Sequence, residues 1–321
     1  MVQTTLQPLL EYKDFKGIDN LTTDDMRVMP GYVRVASNVD IDDEGMIHRR
    51  DGVLRAILSG SWKSLWSKDD LCFGVKNSIL TKINLDWTET TLLSAVGTSR
   101  MSFVQIDDRT FFSNLSVVGY IKDSVAYGFP EPDRQLRQKM VGGEILEYYE
   151  GRLYAVQGNI VPFSIAYNPM EMDEEKNYIA LNGPIHMFHA VSDGIWVSEK
   201  DGISFHHGPD LFNMVYRKIL DEPALKGSAI SIDEVKQGDG SLGRGVIFST
   251  EAGIYMGCKG GFIKDLTKGH YGVLGIEEGQ AAVVWENGYQ QYIFMSQAPA
   301  ELSGYSGSLT FPALTASGKS S

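Results

Sequence analysis

Cysteine is almost absent: Cys72 and Cys258 are the only two, and neither has a second cysteine or a histidine at ligand spacing. That leaves no basis for a disulfide framework or a zinc module, and two buried, reduced thiols are expected instead. Basic residues are outnumbered, 29 Lys plus Arg against 41 Asp plus Glu, for a formal net charge of −12. A chain this acidic is repelled by a phosphate backbone, so tight charge-driven binding of nucleic acid is excluded as its main activity. No apolar run approaches the roughly 18 residues that a membrane helix needs. The start, Met1-Val-Gln-Thr-Thr-Leu-Gln-Pro-Leu-Leu10, lacks a basic residue followed by an apolar stretch, so no signal peptide is expected and the chain is expected to be made in a cytoplasm. Helical periodicity is also scarce. Its best instances are Asp210 to Leu220 and the polar Asp133 to Val141, which predict only a few short helices.

What is present is a recurring short unit. A length of 321 residues suggests about two domains unless one repeat architecture uses the whole chain. An apolar strand, a tight turn of Asp-Asp, Asp-Gly, Glu-Gly or Asn-Gly type, and a second, aromatic-rich strand recur six times. The copies are Leu65 to Val75, Phe103 to Ser113, Glu147 to Val156, His189 to Ser198, Val246 to Met256 and Val283 to Phe294. Their turns fall near positions 69, 107, 150, 193, 252 and 287, at intervals that bracket the roughly 40 to 50 residues of a propeller blade. The longest interval holds Asp233 to Gly245, read as an inserted exposed loop because it is rich in Gly, Asp and Ser. The expected fold is all-β: a β-propeller of about six blades over residues 61–297. Residues 1–60 would form a strand and hairpin segment that closes the ring and docks, and residues 298–321 a flexible tail. Alternating strands joined by hairpins suit a β-sandwich or two stacked barrels equally well, so those architectures stay open.

Sites of chemistry are few. Asp40-Ile-Asp42-Asp43-Glu44-Gly45 through Asp51 places acids at positions 1, 3, 5 and 12 of a calcium loop, with Gly at 6. Its flanks are strand-like where an EF-hand needs helices, so an acidic hairpin tip is the plainer reading, and calcium at Asp40 to Asp51 stays undecided. His186 and His189, and His206 and His207, lie in neighbouring predicted strands. Adjacent strand residues point to opposite faces, so His206 and His207 cannot share an ion, and surface or packing roles are expected for all six histidines. No Gly-x-Ser-x-Gly elbow and no motif of paired carboxylates occurs, so no enzyme activity, catalytic residue, metal or cofactor is expected. Arg134, Arg137 and Lys139 form a brief basic cluster that interrupts the β pattern, a candidate docking patch for an acidic neighbour.

One longer phrase stands apart. Phe15-Lys-Gly17-Ile18-Asp19-Asn20 is followed by Ala36-Ser-Asn38-Val39-Asp40 and then Gly45-Met-Ile-His-Arg49-Arg50-Asp51-Gly52. It resembles the N-terminal signature of bacteriophage tail hub or nozzle proteins, in which F-x-G-[IL]-[ND], A-x-N-V-D and G-x-[IL]-x-x-R-x-G precede a β-propeller. The resemblance covers about 40 residues directly. It implies a virion structural protein of the tail, assembled in the host cytoplasm. Six copies would form a ring below the portal and its head-tail adaptor, tail fibre or tail spike proteins would attach to it, and double-stranded DNA would pass through the lumen without specific binding. An acidic lumen wall would suit such a conduit, because it repels phosphate. Contacts are expected from residues 1–60, the predicted helical interruption at 133–141, the loop at 233–245 and the C-terminal tail. Two other classes stand beside this one. One is a propeller enzyme that degrades polysaccharide. The other is a sugar-binding adaptor whose platforms would come from Trp62, Trp66, Trp87, Trp196 and Trp285, although most of these sit within strand repeats where core packing is the expected role.

Overall fold

The computed structural model describes residues 14–24, 27–36, 39–41, 46–49, 60–134, 136–173, 175–208, 213–237, 240–273, 275–276, 278–286, 289–296 and 309–310. Six sheet units follow one another among them. The first is Trp62–Lys68, Leu71–Lys76, Ile79–Ile83 and Glu89–Leu93. The second is Ser102–Ile106, Arg109–Ser113, Val118–Lys122 and Val125–Gly128. In the third, the hairpin Ile145–Tyr149 and Arg152–Val156 reaches the pair Ile160–Pro162 and Tyr178–Ala180 through the bridge Tyr154↔Phe163. The fourth is Ile185–Val191, Gly194–Glu199, Gly202–His207 and Val215–Leu220. The fifth is Ile230–Gln237, Gly240–Ser249, Ile254–Gly257 and Ile263–Asp265, and the sixth is the hairpin Gly279–Glu286 with Tyr289–Ser296. Units one, two, four and five are four-stranded antiparallel meanders in chain order. The fold is an all-β propeller.

Turn chemistry explains the hairpins. Asp69, Asp107 and Glu150 take φ of 50°, 52° and 46° at the tips of the first hairpins of units one to three. Asn77 with Ser78, and Asp123 with Ser124, do the same at the second hairpins. Positive φ at the first turn residue gives the primed turns whose twist matches that of paired strands, and Asp and Asn tolerate it better than most residues.

Packing between units explains the ring. Each buried cluster is shared by two neighbours: Phe73, Leu80, Phe103 and Phe112 between units one and two, and Ile106, Phe111, Leu146 and Leu153 between two and three. Tyr154, Phe163, Phe188 and Ile195 fill the gap between three and four, and Met187, Trp196, Phe205, Val246 and Phe248 that between four and five. A second strand is therefore covered on both faces, which is why Arg109–Ser113, Arg152–Val156 and Gly194–Glu199 are almost wholly buried rather than alternating. Trp196 is fully buried, and its indole N–H donates to the Cys258 carbonyl at 3.1 Å. Fourth strands such as Val215–Leu220 are mostly exposed, which puts them at the rim. First strands of units two and three, three and four, and five and six pack on one another and line the inner wall.

The connections that enter the first strands are tied together near the centre. Arg100 Nη1 donates to the Gly279 carbonyl at 3.0 Å, Gly279 N–H donates to the Lys226 carbonyl at 2.9 Å, and Lys226 Nζ pairs with Glu144 Oε2 at 2.8 Å. Gly227, at φ +79°, lies under this knot, and a Cβ there would run into the Arg100 guanidinium and the Gly279 carbonyl. Gly227→Ala is expected to cost about 2 kcal/mol through strain at positive φ and displacement of Arg100. Urea unfolding would show it as a lowered midpoint.

Three expectations are corrected. The segment 133–141 is not helical: Gln138–Lys139 pairs with Glu171–Met172, and the basic cluster is partly neutralised, Arg137 by Glu171 at 3.3 Å and Lys139 by Glu131 at 2.5 Å. Nor is the end of Asp210 to Leu220, where Val215–Leu220 pairs with Gly202–His207. The supposed loop at 233–245 falls in the paired strands Ile230–Gln237 and Gly240–Ser249, the long first hairpin of unit five, with 238–239 outside the described residues. Positions 1–13, 42–45, 50–59, 297–308 and 311–321 lie outside the described residues, and with them half of the calcium-like loop and nearly all of the tail. Around that loop, Val39–Ile41 and Ile47–Arg49 pair antiparallel, and Leu309–Thr310 pairs with Val35–Ala36.

Candidate functional site

The inner wall carries a charged cluster in otherwise apolar surroundings. Glu147 is the third residue of the strand Ile145–Tyr149, and its side chain is only 3% exposed. Its Oε2 lies 3.1 Å from His189 Nδ1, its Oε1 lies 3.3 Å from Arg244 Nη2, and its Oε1 also accepts the Tyr148 N–H at 3.1 Å. Ser231 Oγ completes the set, 3.0 Å from His189 Nδ1 and accepting from Arg244 Nη2 at 3.1 Å. Side chains from three consecutive units thus form one linked cluster, with His189 and Arg244 on the Glu147 carboxylate and Ser231 bridging the two.

The elements dictate this meeting. Glu147 and His189 sit at matching places, each shortly before the tip of its unit's first hairpin, so neighbouring inner strands bring them side by side. Ser231 is the second residue of the inner strand of unit five. Arg244 comes from the second strand of that unit, carried on a hairpin whose two strands span 8 and 10 residues. Register shifts between Ile232 and Val235 and between Val235 and Lys236 bend this hairpin opposite Arg244, and bulges of this kind re-aim side chains.

Burial by itself would raise the Glu147 pKa. The Arg244 charge and the His189 and Tyr148 hydrogen bonds outweigh it and hold the carboxyl below its ordinary value, so the group is a carboxylate. A carboxylate facing Nδ1 requires a proton there. In the neutral ring Nε2 is then the acceptor. Nε2 has no hydrogen-bond partner among the described residues and is open to solvent, the side chain being 20% exposed. Such a His–carboxylate pair can accept or donate a proton or a hydrogen bond at Nε2, and Arg244 supplies a fixed positive charge beside it.

Elsewhere in the ring, a cavity of about 520 Å³ is lined by His186, Glu222, Lys226, Glu251, Ile276 and Glu278, among others. His186 stands at a register shift in its strand, and its Nδ1 contacts the Ala224 carbonyl at 3.2 Å. His186 and His189 thus reach different partners. His206 and His207 also separate, His206 lying 2.9 Å from Ser204 Oγ and His207 Nδ1 2.9 Å from the Asp193 carbonyl. Among the described residues no group of three His, Cys, Asp or Glu is placed to hold a metal ion. Cys258 is buried and Cys72 half-buried, and neither is in a disulfide. Trp196 is core and Trp66 stacks on Phe73 and Phe103, whereas Trp87 is 57% exposed.

The N-terminal phrase has its own seat. Asp19, fully buried, accepts the Thr22 N–H at 3.0 Å and hydroxyl at 2.9 Å and faces His270 Nδ1 at 3.4 Å. Asn20 donates from Nδ2 to the Gly272 carbonyl at 2.8 Å and accepts the Gly272 N–H at 2.9 Å, while its own N–H donates to the His270 carbonyl at 3.0 Å. These bonds hold the phrase on the connection between units five and six.

No family model matches the chain, and no curated protein matches it. Among solved structures it is similar to PorZ, a surface component of the type-IX secretion system of Porphyromonas gingivalis, with 11% identity and a TM-score of 0.45 over 78% of this chain and 34% of that one. It is similar to virginiamycin B lyase from Staphylococcus aureus, with 11% identity and a TM-score of 0.46 over 80% of this chain and 84% of the other. For the WD40 propeller domain of Doa1 the values are 11%, 0.40, 73% and 82%. The chain spans about a third of the length of PorZ and of the extracellular domain of BT4673 from B. thetaiotaomicron.

Proposed function

We propose that this chain is a structural subunit of a bacteriophage tail, a hub or nozzle propeller that assembles as a ring on the head-tail adaptor. The observation that carries the reading is the seat of the N-terminal phrase. Asp19 and Asn20, the polar pair that ends Phe15-Lys-Gly-Ile-Asp-Asn, are the residues that fasten the segment to the propeller. A phrase fixed in this way presents the Val39–Ile41 and Ile47–Arg49 hairpin as a docking element on a rigid body. The net charge of −12 agrees with a conduit that must not hold its cargo.

Light scattering on the purified chain tests this, alone and with the cognate portal–adaptor complex. The expected result is a single-chain mass near 35.6 kDa in isolation and a closed ring, six copies by the resemblance, once the adaptor is added. A monomer that ignores the adaptor and releases reducing sugar from soluble polysaccharide would overturn it in favour of a propeller hydrolase or lyase.

A further inference from the structure

We propose that Arg244 and His189, aimed by Glu147, form a binding site for a small ligand that presents an oxyanion, either a carboxylate or a phosphoryl group. The donors are present and half used. Arg244 spends Nη2 on Ser231 and Glu147, while its Nη1 and Nε make no hydrogen bond among the described residues and its side chain is 37% exposed. His189 spends Nδ1 on Glu147 and Ser231 and keeps Nε2 open to solvent. The unused Nη1–H and Nε–H can each donate one hydrogen bond to an oxyanion beside the fixed positive charge, and Nε2–H of a protonated ring supplies a further donor.

Packing alone does not account for the cluster. Apolar side chains at positions 147, 189 and 244 together would stabilise the wall at least as well as the buried ion pair, whose desolvation offsets most of what the pair contributes. What the carboxylate does is fix an arginine and a histidine from different units in one orientation. The long hairpin of unit five serves the same end, because its length and its two register shifts bring Arg244 over the inner strands. Pre-aimed donors with unfilled valences describe a binding site better than they describe a core. The inference does not depend on the tail reading, since ring assembly plays no part in it.

The test is isothermal titration of the full chain with inorganic phosphate, with glucuronate, and with glucose as the uncharged control, in a buffer free of other oxyanions. Saturable one-to-one binding of phosphate or glucuronate, but not glucose, is expected, and whichever binds more tightly identifies the group as phosphoryl or carboxylate. Arg244→Lys keeps a positive partner for Glu147 but loses the Nη1 and Nε donors, and His189→Gln loses the Nε2 donor. Each is expected to weaken binding at least tenfold while circular dichroism and melting stay close to wild type. Absence of saturable binding to both anions, or equal binding by wild type and both variants, would overturn the proposal.

Discussion

Glu147→Ala is expected to destabilise the propeller by about 3 kcal/mol at neutral pH, since removing one partner of a buried ion pair strands the other. The magnitude sits at the low end of the usual range because Arg244, 37% exposed, can turn toward water and His189 Nδ1 keeps Ser231 Oγ as a partner, whereas the Tyr148 N–H loses its acceptor. Glu147→Gln keeps the shape and one acceptor, so about half the loss is expected. The pH dependence follows from the lowered carboxyl. Its contribution is present above the ordinary glutamate value near 4.5 and is lost as pH falls below that through the lower folded-state value. Urea midpoints of wild type and Glu147→Gln should therefore differ at pH 7 and converge under acid. A difference that stays constant down to acid pH would mean that the carboxylate's charge contributes nothing.

The repeat was legible because hairpin turns obey local rules. Asp69, Asp107 and Glu150 mark the first-hairpin tips of units one to three, and the structure gives them the positive φ that their chemistry suits. The fifth copy was read one hairpin out of phase. Val246 to Met256 spans the second and third strands of unit five, so the true first hairpin, Ile230–Gln237 with Gly240–Ser249, was mistaken for an insertion. The cause is physical. Gly240, Gly243 and Gly245 break the apolar alternation in a strand that approaches its neighbours closely, as at Gly245, where a Cβ would meet the Val235 side chain and the Gly257 carbonyl. With the phase restored, first strands begin at Trp62, Ser102, Ile145, Ile185, Ile230 and Gly279, an even spacing. The helical reading of Asp210 to Leu220 failed because pairing with Gly202–His207 overrides a short, weak 3.6-residue pattern.

The axial cluster was less legible. His189 was singled out, but as a possible metal ligand beside His186, and the two face different partners. Glu147 opened a recognised repeat and still passed unremarked, although a carboxylate inside Ile145-Leu-Glu-Tyr-Tyr149 breaks a strand that is otherwise apolar and aromatic. The usable signal was positional: Glu147 and His189 stand at the same offset from their hairpin tips. Arg244 carried no such signal, because its arrival depends on the register shifts of one hairpin, and those are set by pairing.

Acid should unfold this protein chiefly through His206. Its imidazole sits beside Val161, Phe188, Ile195 and Met214 in a small apolar pocket between units three and four, with Ser204 Oγ as its polar contact at 2.9 Å and Tyr216 packed at 6.1 Å. Burial in that pocket disfavours the charged ring and pushes its pKa down to about 4. The unfolded chain takes up the proton near pH 6.5, before the folded chain does. Stability is therefore full above about 6.5, declines as pH falls toward 4 and levels off below, with a total loss on the order of 3 kcal/mol. His206→Phe removes the titrating group from a pocket that accepts an aromatic ring, so its unfolding free energy should be nearly flat between pH 6.5 and 4.5. Glu147 titrates below that window, which separates the two effects in one series of urea melts. A wild-type profile with no slope between pH 6.5 and 4.5 would mean that the pocket admits the charged ring, and that the contact between units three and four is looser than its apolar lining implies.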